Sequence, residues 1–324
     1  MNRYKEFLSE WHDYKDYIIC HTSGSTGAPK EIRLSKERMK ESAERTNTFF
    51  NLDSGSHFHS CISPEYIGGK MMAVRADILN AGFSFEPPSN RPLTDYQDGP
   101  IDLLAVVPSQ MQFILDHPKD MPEIRNIIIG GSAIPAKIRE RIAASGLNAF
   151  ETYGMTETCS HVALRKIERN QGPFSTMEGI TVRQIDSRLA IKISTKDGNQ
   201  EFITNDLADI IDNRHFIIMG RADNVINSGG IKIIPEKIEN LVESEFNTPV
   251  LVYGERDEKW GQRAVMIVDD DHKTADKDLI DFLKGKLRKE WIPKKIIHGK
   301  LPMTSNGKKL RSWEDIKTCL SFQK

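Results

Sequence analysis

Two short apolar runs constrain the fold of this chain more than any other feature. The first is Ile101–Val107, which ends at Pro108, and the second is Asn126–Ile129, which ends at Gly130. Continuous apolar runs of this length are typical of strands that are buried on both faces of a parallel sheet. Segments with helical periodicity, such as Glu37–Phe50, alternate with such runs up to about residue 160. The first half of the chain therefore reads as an α/β arrangement.

The periodicity changes beyond that point. Residues 180–193 alternate roughly by two, and Asp197-Gly198 is a hairpin signal. Further on, Pro235–Phe246 and Lys277–Trp291 read as helices that alternate with short strands. We therefore predict an α/β protein in two domains. A large N-terminal α/β body, with a mainly parallel sheet and a β-hairpin region, spans residues 1–219, and a small α+β C-terminal domain spans residues 220–324.

Composition excludes several classes of protein. The chain has 45 Lys and Arg against 46 Asp and Glu, a formal net charge of −1, so no electrostatic argument favours nucleic acid or an anionic membrane as partner. Its apolar runs are far shorter than the roughly 20 residues of a membrane span. The four cysteines, Cys20, Cys61, Cys159 and Cys319, show no metal-ligand spacing, which is typical of a reduced intracellular chain. These features predict a cytoplasmic enzyme; homo-oligomerisation stays open.

One loop is rich in hydroxyl groups and glycine and ends in a lysine. Glycines allow backbone N–H groups to approach an anion closely, hydroxyls donate hydrogen bonds to phosphate oxygens, and a lysine adds positive charge. The order of residues excludes a Walker P-loop. By composition alone a polar turn explains the loop equally well. Its candidate phosphate-binding residues are Thr22, Ser23, Gly24, Ser25, Thr26, Gly27 and Lys30.

Five further motifs follow this loop in a fixed order. They are Gly130-Gly131-Ser132-Ala133-Ile134-Pro135, Tyr153-Gly154-Met155-Thr156-Glu157, Gly220-Arg221-Ala222-Asp223, Ser228-Gly229-Gly230 and Pro302-Met303-Thr304-Ser305-Asn306-Gly307-Lys308. Together with the loop, the set resembles the adenylate-forming superfamily of acyl- and aryl-CoA ligases, luciferases and peptide-synthetase adenylation domains. The resemblance extends from about residue 17 to residue 311. It implies that a carboxylic acid and ATP form an acyl-adenylate, from which a thiol then displaces AMP.

The resemblance also implies roles for individual residues at the nucleotide. The Thr22–Lys30 loop would hold the β- and γ-phosphates, and Glu157 would hold Mg²⁺, a cation that prefers carboxylate oxygen. Thr156 would lie near the α-phosphate. The adenine pocket would be formed by Gly131, Ser132, Tyr153 and Gly154. Taken singly, Tyr153 is also explained as a core residue and Glu157 as an exposed charge.

The ribose contacts implied by the resemblance are Asp206 and Arg221. The superfamily usually has Thr-Gly-Asp at the first of these positions, whereas this chain has Thr204-Asn205-Asp206. Asn tolerates the left-handed conformation better than most residues, so we expect Asp206 to keep its place. A surface ion pair explains Arg221 as well.

The remaining roles fall on the small domain. Lys308 matches the catalytic lysine of the superfamily and would neutralise charge between the α-phosphate and the attacking carboxylate. The neighbouring Lys309 is distinguished from it only by position. Asp223 matches the hinge about which the small domain swings between two poses. Gly229 and Gly230 would let the pantetheine arm of CoA pass close to the backbone.

Within the superfamily, the stretch Tyr153–Arg165 resembles o-succinylbenzoate–CoA ligases of menaquinone biosynthesis. Such a substrate carries a second carboxylate, which Ser160, His161 and Arg165 would help to bind. At i, i+4 spacing the last two would share one helix face; a plain surface face explains them equally well. Tyr66 stands where the superfamily often has a histidine beside the acyl pocket.

Alternative functions stay open. One is a CoA ligase for another aryl or acyl acid, and another is an enzyme that loads a carrier protein instead of CoA. A third is a non-catalytic nucleotide-binding relic. It is suggested by the short stretch ahead of Thr22, where the superfamily usually has a whole leading subdomain. The survival of Glu157, Asp206, Arg221 and Lys308 argues against a relic.

Overall fold

The apolar runs that the sequence predicts as buried strands lie close together in one large sheet. A computed structural model describes residues 2–21, 30–272, 274–303 and 309–321 of the chain. The elements of its first half are α1 (Asn2–Trp11), β1 (Tyr17–His21), β2 (Glu31–Ser35), α2 (Lys36–Phe49), β3 (His57–Ser60), α3 (Ile67–Asp77), β4 (Gly82–Phe85), β5 (Leu103–Val106), α4 (Pro108–Asp116), β6 (Ile127–Ile129), α5 (Ala136–Ser145) and β7 (Ala149–Met155).

Six strands follow before the chain enters a second sheet. They are β8 (Ser160–Lys166), β9 (Phe174–Thr176), β10 (Ile180–Ile185), β11 (Arg188–Thr195), β12 (Gly198–Ile210) and β13 (His215–Arg221). The last part consists of β14 (Ile226–Ser228), β15 (Ile231–Ile233), α6 (Pro235–Phe246), β16 (Val250–Asp257), β17 (Gly261–Val268), α7 (Asp276–Lys286), β18 (Lys295–His298) and α8 (Trp313–Ser321). None of the described helices is long and apolar enough to cross a membrane.

The large sheet has eleven strands in the order β10-β11-β12-β13-β9-β8-β7-β6-β5-β3-β4. Its strands β4, β3, β5, β6 and β7 run parallel. From β7 to β10 every neighbouring pair is antiparallel. The predicted α/β class with a hairpin region is confirmed, but the prediction of a mainly parallel sheet is wrong, because six of the ten neighbouring strand pairs described in this sheet are antiparallel.

Helices cover both faces of the parallel strands. Along β5, Leu103 and Ala105 belong to a core shared with α3, whereas Leu104 and Val106 belong to a core shared with α4 and α5. All four residues are buried, as a two-faced strand requires. Burying a side chain of this size stabilises the fold by about 1.5–3 kcal/mol. These strands therefore form a firm base for the loops at their carboxyl ends.

A smaller sheet follows the large one. Its strands are ordered β15-β14-β17-β16, with β18 parallel to β17. Helices α6 and α7 pack on it through Ile238, Val242, Leu279 and Leu283, all of which are fully buried. The predicted domain boundary after residue 219 lies inside β13, and the connection between the two sheets is a short 3-10 turn over Ala222–Asn224.

Local side chains and turns set the ends of several elements. The Ser35 side chain caps α2 by accepting a hydrogen bond from the Arg38 N–H, and Gly146 ends α5 in the left-handed conformation. The predicted Asp197-Gly198 hairpin joins β11 and β12. One prediction is wrong: His161 and Arg165 lie on strand β8, not on a helix. Residues four apart also share a strand face, so their spacing did not distinguish the two structures.

Candidate active site

Two strands hold the ends of the candidate phosphate loop. Strands β1 and β2 form an antiparallel pair from Tyr17↔Ser35 to His21↔Glu31. Ile18 and Leu34 anchor the pair in a core that it shares with α1, α2 and α3. The candidates Thr22, Ser23, Gly24, Ser25, Thr26 and Gly27 lie outside the described residues. Lys30 is described and stands exposed just ahead of β2.

The predicted magnesium residue lies in a tight turn between β7 and β8. Thr156–Thr158 form one 3-10 turn, in which the Met155 N–H donates to Thr158 Oγ1 over 3.1 Å. The Arg38 guanidinium donates to the Glu157 carbonyl over 2.8 Å, which ties the turn to α2. This turn also contacts β2, which carries one end of the phosphate loop. The turn and the hairpin are therefore neighbours.

Gly154 is required where β7 and β8 approach each other. A Cβ at this position would lie 2.2 Å from the Ser160 carbonyl oxygen. The pairing shifts register between Tyr153 and Gly154, and both Cys159 and Ser160 have positive φ angles of 59° and 122°. Backbone in such conformations is strained for side chains other than glycine. The close crossing fixes the direction in which the Glu157 turn leaves the sheet.

Magnesium fits the Glu157 position by its chemistry. The side chain is partly exposed, and within the described part of the chain its carboxylate has no hydrogen bond or ion pair. A carboxylate oxygen in this state is free to bind a hard divalent cation. Thr156 lies beside it in the same turn and is also partly exposed.

Four side chains form a hydrogen-bonded network. Three of them lie on strands β7, β12 and β13, and the fourth lies in the turn after β13. The Tyr153 hydroxyl donates to Asp206 Oδ2 over 2.5 Å, and Arg221 donates to Asp206 Oδ1 over 3.3 Å. Arg221 also donates to Asp223 Oδ2 over 2.9 Å. Burial and the neighbouring Asp206 carboxylate raise the pKa of Tyr153 well above its usual value, so its hydroxyl stays a donor. The network brings together residues that are far apart in sequence.

Asn205 does not disturb this arrangement. It lies within β12 and has no positive φ, so the left-handed conformation that the sequence suggested is not used. The Asp206 N–H donates to Thr204 Oγ1 over 3.1 Å, and Asn205 donates to Asp223 over 3.4 Å. The triplet therefore directs Asp206 toward Tyr153 without a glycine.

The glycine motif after β6 lies next to Tyr153. Gly131 has a φ of 94°, and a Cβ on Gly130 would lie 2.6 Å from Thr152 Oγ1 on β7. This close approach leaves the backbone near Ser132 at the carboxyl ends of β6 and β7. Flat ligands bind at such ends in open α/β sheets, so Gly131 and Ser132 fit the side of an adenine pocket. The Tyr153 ring packs on Phe174 and Phe216.

Arg165 is already paired. It donates to Glu151 over 2.6 Å and lies 4.2 Å from the Phe174 ring centre. A second guanidinium, that of Arg139, lies 3.6 Å from the same carboxylate. Glu151 is therefore shared by two guanidinium groups, and the three side chains keep a net charge of +1. The contacts with Glu151 and Phe174 hold the Arg165 side chain against the sheet, which weakens the case for Arg165 as a substrate residue.

Ser160 and His161 instead contact Arg75, a residue that the sequence analysis missed. Arg75 donates to Ser160 Oγ over 3.0 Å and lies 3.5 Å from His161 Nδ1, and it has no carboxylate partner among the described residues. Burial lowers the pKa of Arg75 to about 9. Burial and the Arg75 charge also hold the pKa of His161 well below its usual value. No motif marks Arg75, because it is a single arginine within α3.

His161 borders a small cleft. Its Nε2 lies 3.0 Å from Thr46 Oγ1, and the cleft is narrow, with room for about one water molecule. The lining residues include Arg38, Arg45 and Glu41 of α2 and Thr158 beside the Glu157 turn. Tyr66 has a different position: it precedes α3, and 43% of its surface is exposed.

The predicted small-domain residues follow the large sheet. Asp223 lies in the 3-10 turn that connects β13 to β14. Gly229 and Gly230 form the β14–β15 turn with φ angles of 58° and 82°, and a Cβ on Gly229 would lie 2.5 Å from the Trp260 ring. Gly230 faces open space. Lys308 lies outside the described residues.

Comparison with known proteins agrees with this geometry. A family model described as AMP-binding enzyme matches residues 8–190, and one described as AMP-binding enzyme C-terminal domain matches residues 238–308. A 2-succinylbenzoate–CoA ligase from Haemophilus influenzae is 26% identical over 85% of this chain. The chain spans 64% of the length of that relative.

Solved structures share the fold. One is an acyl-CoA synthetase (AMP-forming)/AMP-acid ligase II-like protein from Dyadobacter fermentans, with a TM-score of 0.63 and 27% identity, matched over 99% of this chain and 94% of that one. Another is the o-succinylbenzoate CoA synthetase from Bacillus subtilis in complex with its acyl-adenylate intermediate, with a TM-score of 0.77 and 21% identity over 91% of this chain and 68% of that one. The chain belongs to the AMP-binding enzyme family.

Proposed function

We propose that this protein activates a carboxylic acid with ATP and then transfers the acyl group to CoA. The products are acyl-CoA, AMP and pyrophosphate. The substrate that we propose is o-succinylbenzoate, which places the enzyme in menaquinone biosynthesis in the cytoplasm. This choice rests on the Tyr153–Arg165 stretch and on the similarity to 2-succinylbenzoate–CoA ligases.

The observation that carries the proposal is the network of Tyr153, Asp206, Arg221 and Asp223. Asp206 offers carboxylate oxygens that accept hydrogen bonds from ribose hydroxyls, and Arg221 holds Asp206 in place through a bond of 3.3 Å. Tyr153 follows Thr152, the residue that Gly130 approaches closely, and its ring would offer an aromatic face to the adenine. These groups bind a nucleoside from three sides.

Glu157 lies in the turn between this nucleoside pocket and the phosphate hairpin. Bound there, Mg²⁺ supplies positive charge to the phosphate oxygens of ATP. Arg38 holds the backbone of the turn, which keeps the Glu157 carboxylate directed outward. We further propose that residues 220–324 move as a lid about Asp223 and that Lys308 approaches the α-phosphate only in one pose.

A panel of acids tests the proposal. Pyrophosphate release with o-succinylbenzoate, benzoate and a simple fatty acid, each with and without CoA, measures both half-reactions. We expect o-succinylbenzoate to give the highest kcat/KM. In a site built for a second carboxylate, an acid without that carboxylate leaves the buried polar groups of the site unpaired, which disfavours its binding. Comparable values for benzoate would leave a CoA ligase of broader specificity. No pyrophosphate release with any acid would favour the nucleotide-binding relic.

A second acceptor distinguishes CoA from a carrier protein. If free CoA is the acceptor, replacing CoA with a phosphopantetheinylated carrier protein should release AMP no faster than the same assay without a thiol. The open space at Gly230 leaves room for a narrow pantetheine arm, which CoA and a carrier protein share, so the assay distinguishes the two acceptors and the turn tests the arm. A Gly230→Val variant should therefore slow thioester formation more than adenylation.

A further inference from the structure

A group of three metal-binding side chains lies away from the nucleotide residues, at the other end of the large sheet. Strands β3 and β4 are parallel neighbours, with His59 opposite Ser84. Cys61 and Glu86 follow directly after the two strands, and the Glu86 N–H donates to the Ser60 carbonyl over 3.1 Å. Because side chains alternate along a strand, His59, Cys61 and Glu86 all face the same side. The ligand atoms of the three residues lie within 4.8 Å of one another.

The geometry points to a site for a zinc-like divalent cation, held by His59 Nε2, Cys61 Sγ and a Glu86 carboxylate oxygen. One imidazole, one thiolate and one carboxylate are the donor set of a borderline cation such as Zn²⁺, and not of Mg²⁺. Zinc bonds of about 2.0–2.3 Å place tetrahedral ligand atoms roughly 3.3–3.8 Å apart. His59 Nε2 and Glu86 Oε2 are already 3.7 Å apart. A fourth position is left for water.

The histidine is oriented as a ligand should be. His59 Nδ1 lies 2.8 Å from Ser84 Oγ, and with Nδ1–H as the donor of this hydrogen bond Nε2 keeps its lone pair for a cation. His59 is 2% exposed, and its Nε2 is buried with no hydrogen-bond partner among the described residues. A buried acceptor with no partner is costly, and a bound cation removes that cost.

The carboxylate is oriented as well. Both Glu86 oxygens accept a hydrogen bond from the Leu93 N–H, at 3.1 and 3.0 Å. Gln110 donates to the Cys61 carbonyl over 2.9 Å, which fixes the chain just beyond β3. A cation here would therefore tie the end of β3 to the end of β4 and to the loop that follows it. The inference does not depend on the proposed function, because these residues belong to different strands from the nucleotide network.

Cobalt substitution tests the site directly. The full chain, stripped with a chelator, is titrated with Co²⁺, whose tetrahedral thiolate complexes show visible bands and a near-ultraviolet charge-transfer band. We expect one equivalent to bind and Zn²⁺ to displace it. Cys61→Ser should remove the charge-transfer band and weaken Zn²⁺ binding at least 100-fold, and Ser84→Ala, which leaves all three ligands, should weaken it about 10- to 100-fold. Cys20→Ser removes another buried thiol and should bind like the parent.

Two outcomes would overturn the site. One is a parent protein that binds no Co²⁺ or Zn²⁺ after reduction of its thiols. The other is a Cys61→Ser variant that keeps both the bands and the affinity. Circular dichroism of each variant shows whether it is folded. If Cys61→Ser does not fold, the Ser84→Ala titration decides, since unchanged affinity there contradicts the orientation of His59.

Discussion

At the scale of single residues, Asp206 links Tyr153 to Arg221 in the hydrogen-bonded network. It accepts hydrogen bonds from Tyr153 and from Arg221, with one carboxylate oxygen each. We predict that Asp206→Asn weakens ATP binding about 10- to 100-fold, since a hydrogen bond to a charged group contributes roughly 1.5–3 kcal/mol. Isothermal titration with ATP measures this. Asp209→Asn, an exposed carboxylate on the same strand, is the matched control. Equal weakening in both variants would contradict a direct role for Asp206.

His161 gives the protein a predicted sensitivity to acid. Burial and Arg75 hold its pKa well below 6.5 in the folded state, so at pH 5.5 the unfolded chain binds a proton that the folded protein does not. The free energy of unfolding therefore falls as the pH drops below the unfolded pKa. Between pH 7.5 and 5.5 we expect the parent to lose more of its free energy of unfolding than His161→Gln loses, by on the order of 1 kcal/mol. Urea unfolding at both pH values measures the difference. If the parent and His161→Gln lose the same free energy of unfolding, His161 is protonated in the folded protein.

Motifs indicated candidate residues at the nucleotide, but they could not predict which side chains pair. Tyr153, Asp206 and Arg221 are recognisable in sequence, whereas their mutual hydrogen bonds depend on how β7, β12 and β13 are placed. Arg165 illustrates the limit, because its pairing with Glu151 is a cross-strand contact in β7 and β8. Arg75 and His59 have no motif at all. Their environments arise from packing that joins distant segments of the chain.

At the scale of elements, the segment after residue 308 is tied to helix α6. Lys309 donates to Glu239 over 3.0 Å and to Glu243 over 2.7 Å, and Arg311 donates to Glu239 over 2.6 Å. Although burial raises the pKa of Glu239, these two cations bring it below its usual value. Lys309 therefore has a structural role as a partner of α6, which supports the assignment of the chemical role to Lys308.

We predict opposite effects for the two lysines. Lys309→Ala leaves a buried Glu239 with only Arg311, so the free energy of unfolding should fall by about 1–3 kcal/mol while adenylation persists. Lys308→Ala should reduce acyl-adenylate formation sharply. Urea unfolding and pyrophosphate release measure the two effects separately. If Lys309→Ala abolishes adenylation at unchanged stability, the two assignments are exchanged.

Helix α6 shows where sequence patterns suffice, whereas the helix predicted over Lys277–Trp291 ends at Lys286. Pro235–Phe246 is a helix over the whole predicted range, because Pro stands in its first turn and Asn247 ends it in the left-handed conformation. The segment that contains His161 and Arg165 has no such end signals. There, pairing with β7 on one side and β9 on the other decides the structure, and this information is not local.

At the scale of the whole molecule, the two sheets are joined through one short connection that also belongs to the candidate site. Arg221 ends β13, Asp223 lies in the following turn, and both contact the residues proposed to bind ribose. A movement of residues 220–324 about this turn would therefore change the nucleotide pocket and the position of Lys308 together. The sequence predicted the turn from its Gly-Arg-x-Asp motif, and its contacts with Asn205 and Asp206 are visible only in the structure.

The hinge can be tested by separating the two half-reactions. We predict that Asp223→Pro keeps pyrophosphate release with acid and ATP but loses thioester formation, because proline fixes φ near −65° and restricts rotation at the turn. Asp223→Ala is the matched control, since it removes the carboxylate that Arg221 and Asn205 contact but leaves the backbone free.

Lys308→Ala should show the reverse pattern, with thioester formation from added acyl-adenylate largely intact. Rapid-quench measurement of both half-reactions distinguishes these cases. Parent rates of thioester formation in Asp223→Pro would place the hinge elsewhere, and equal losses of both half-reactions in Lys308→Ala would argue against two poses.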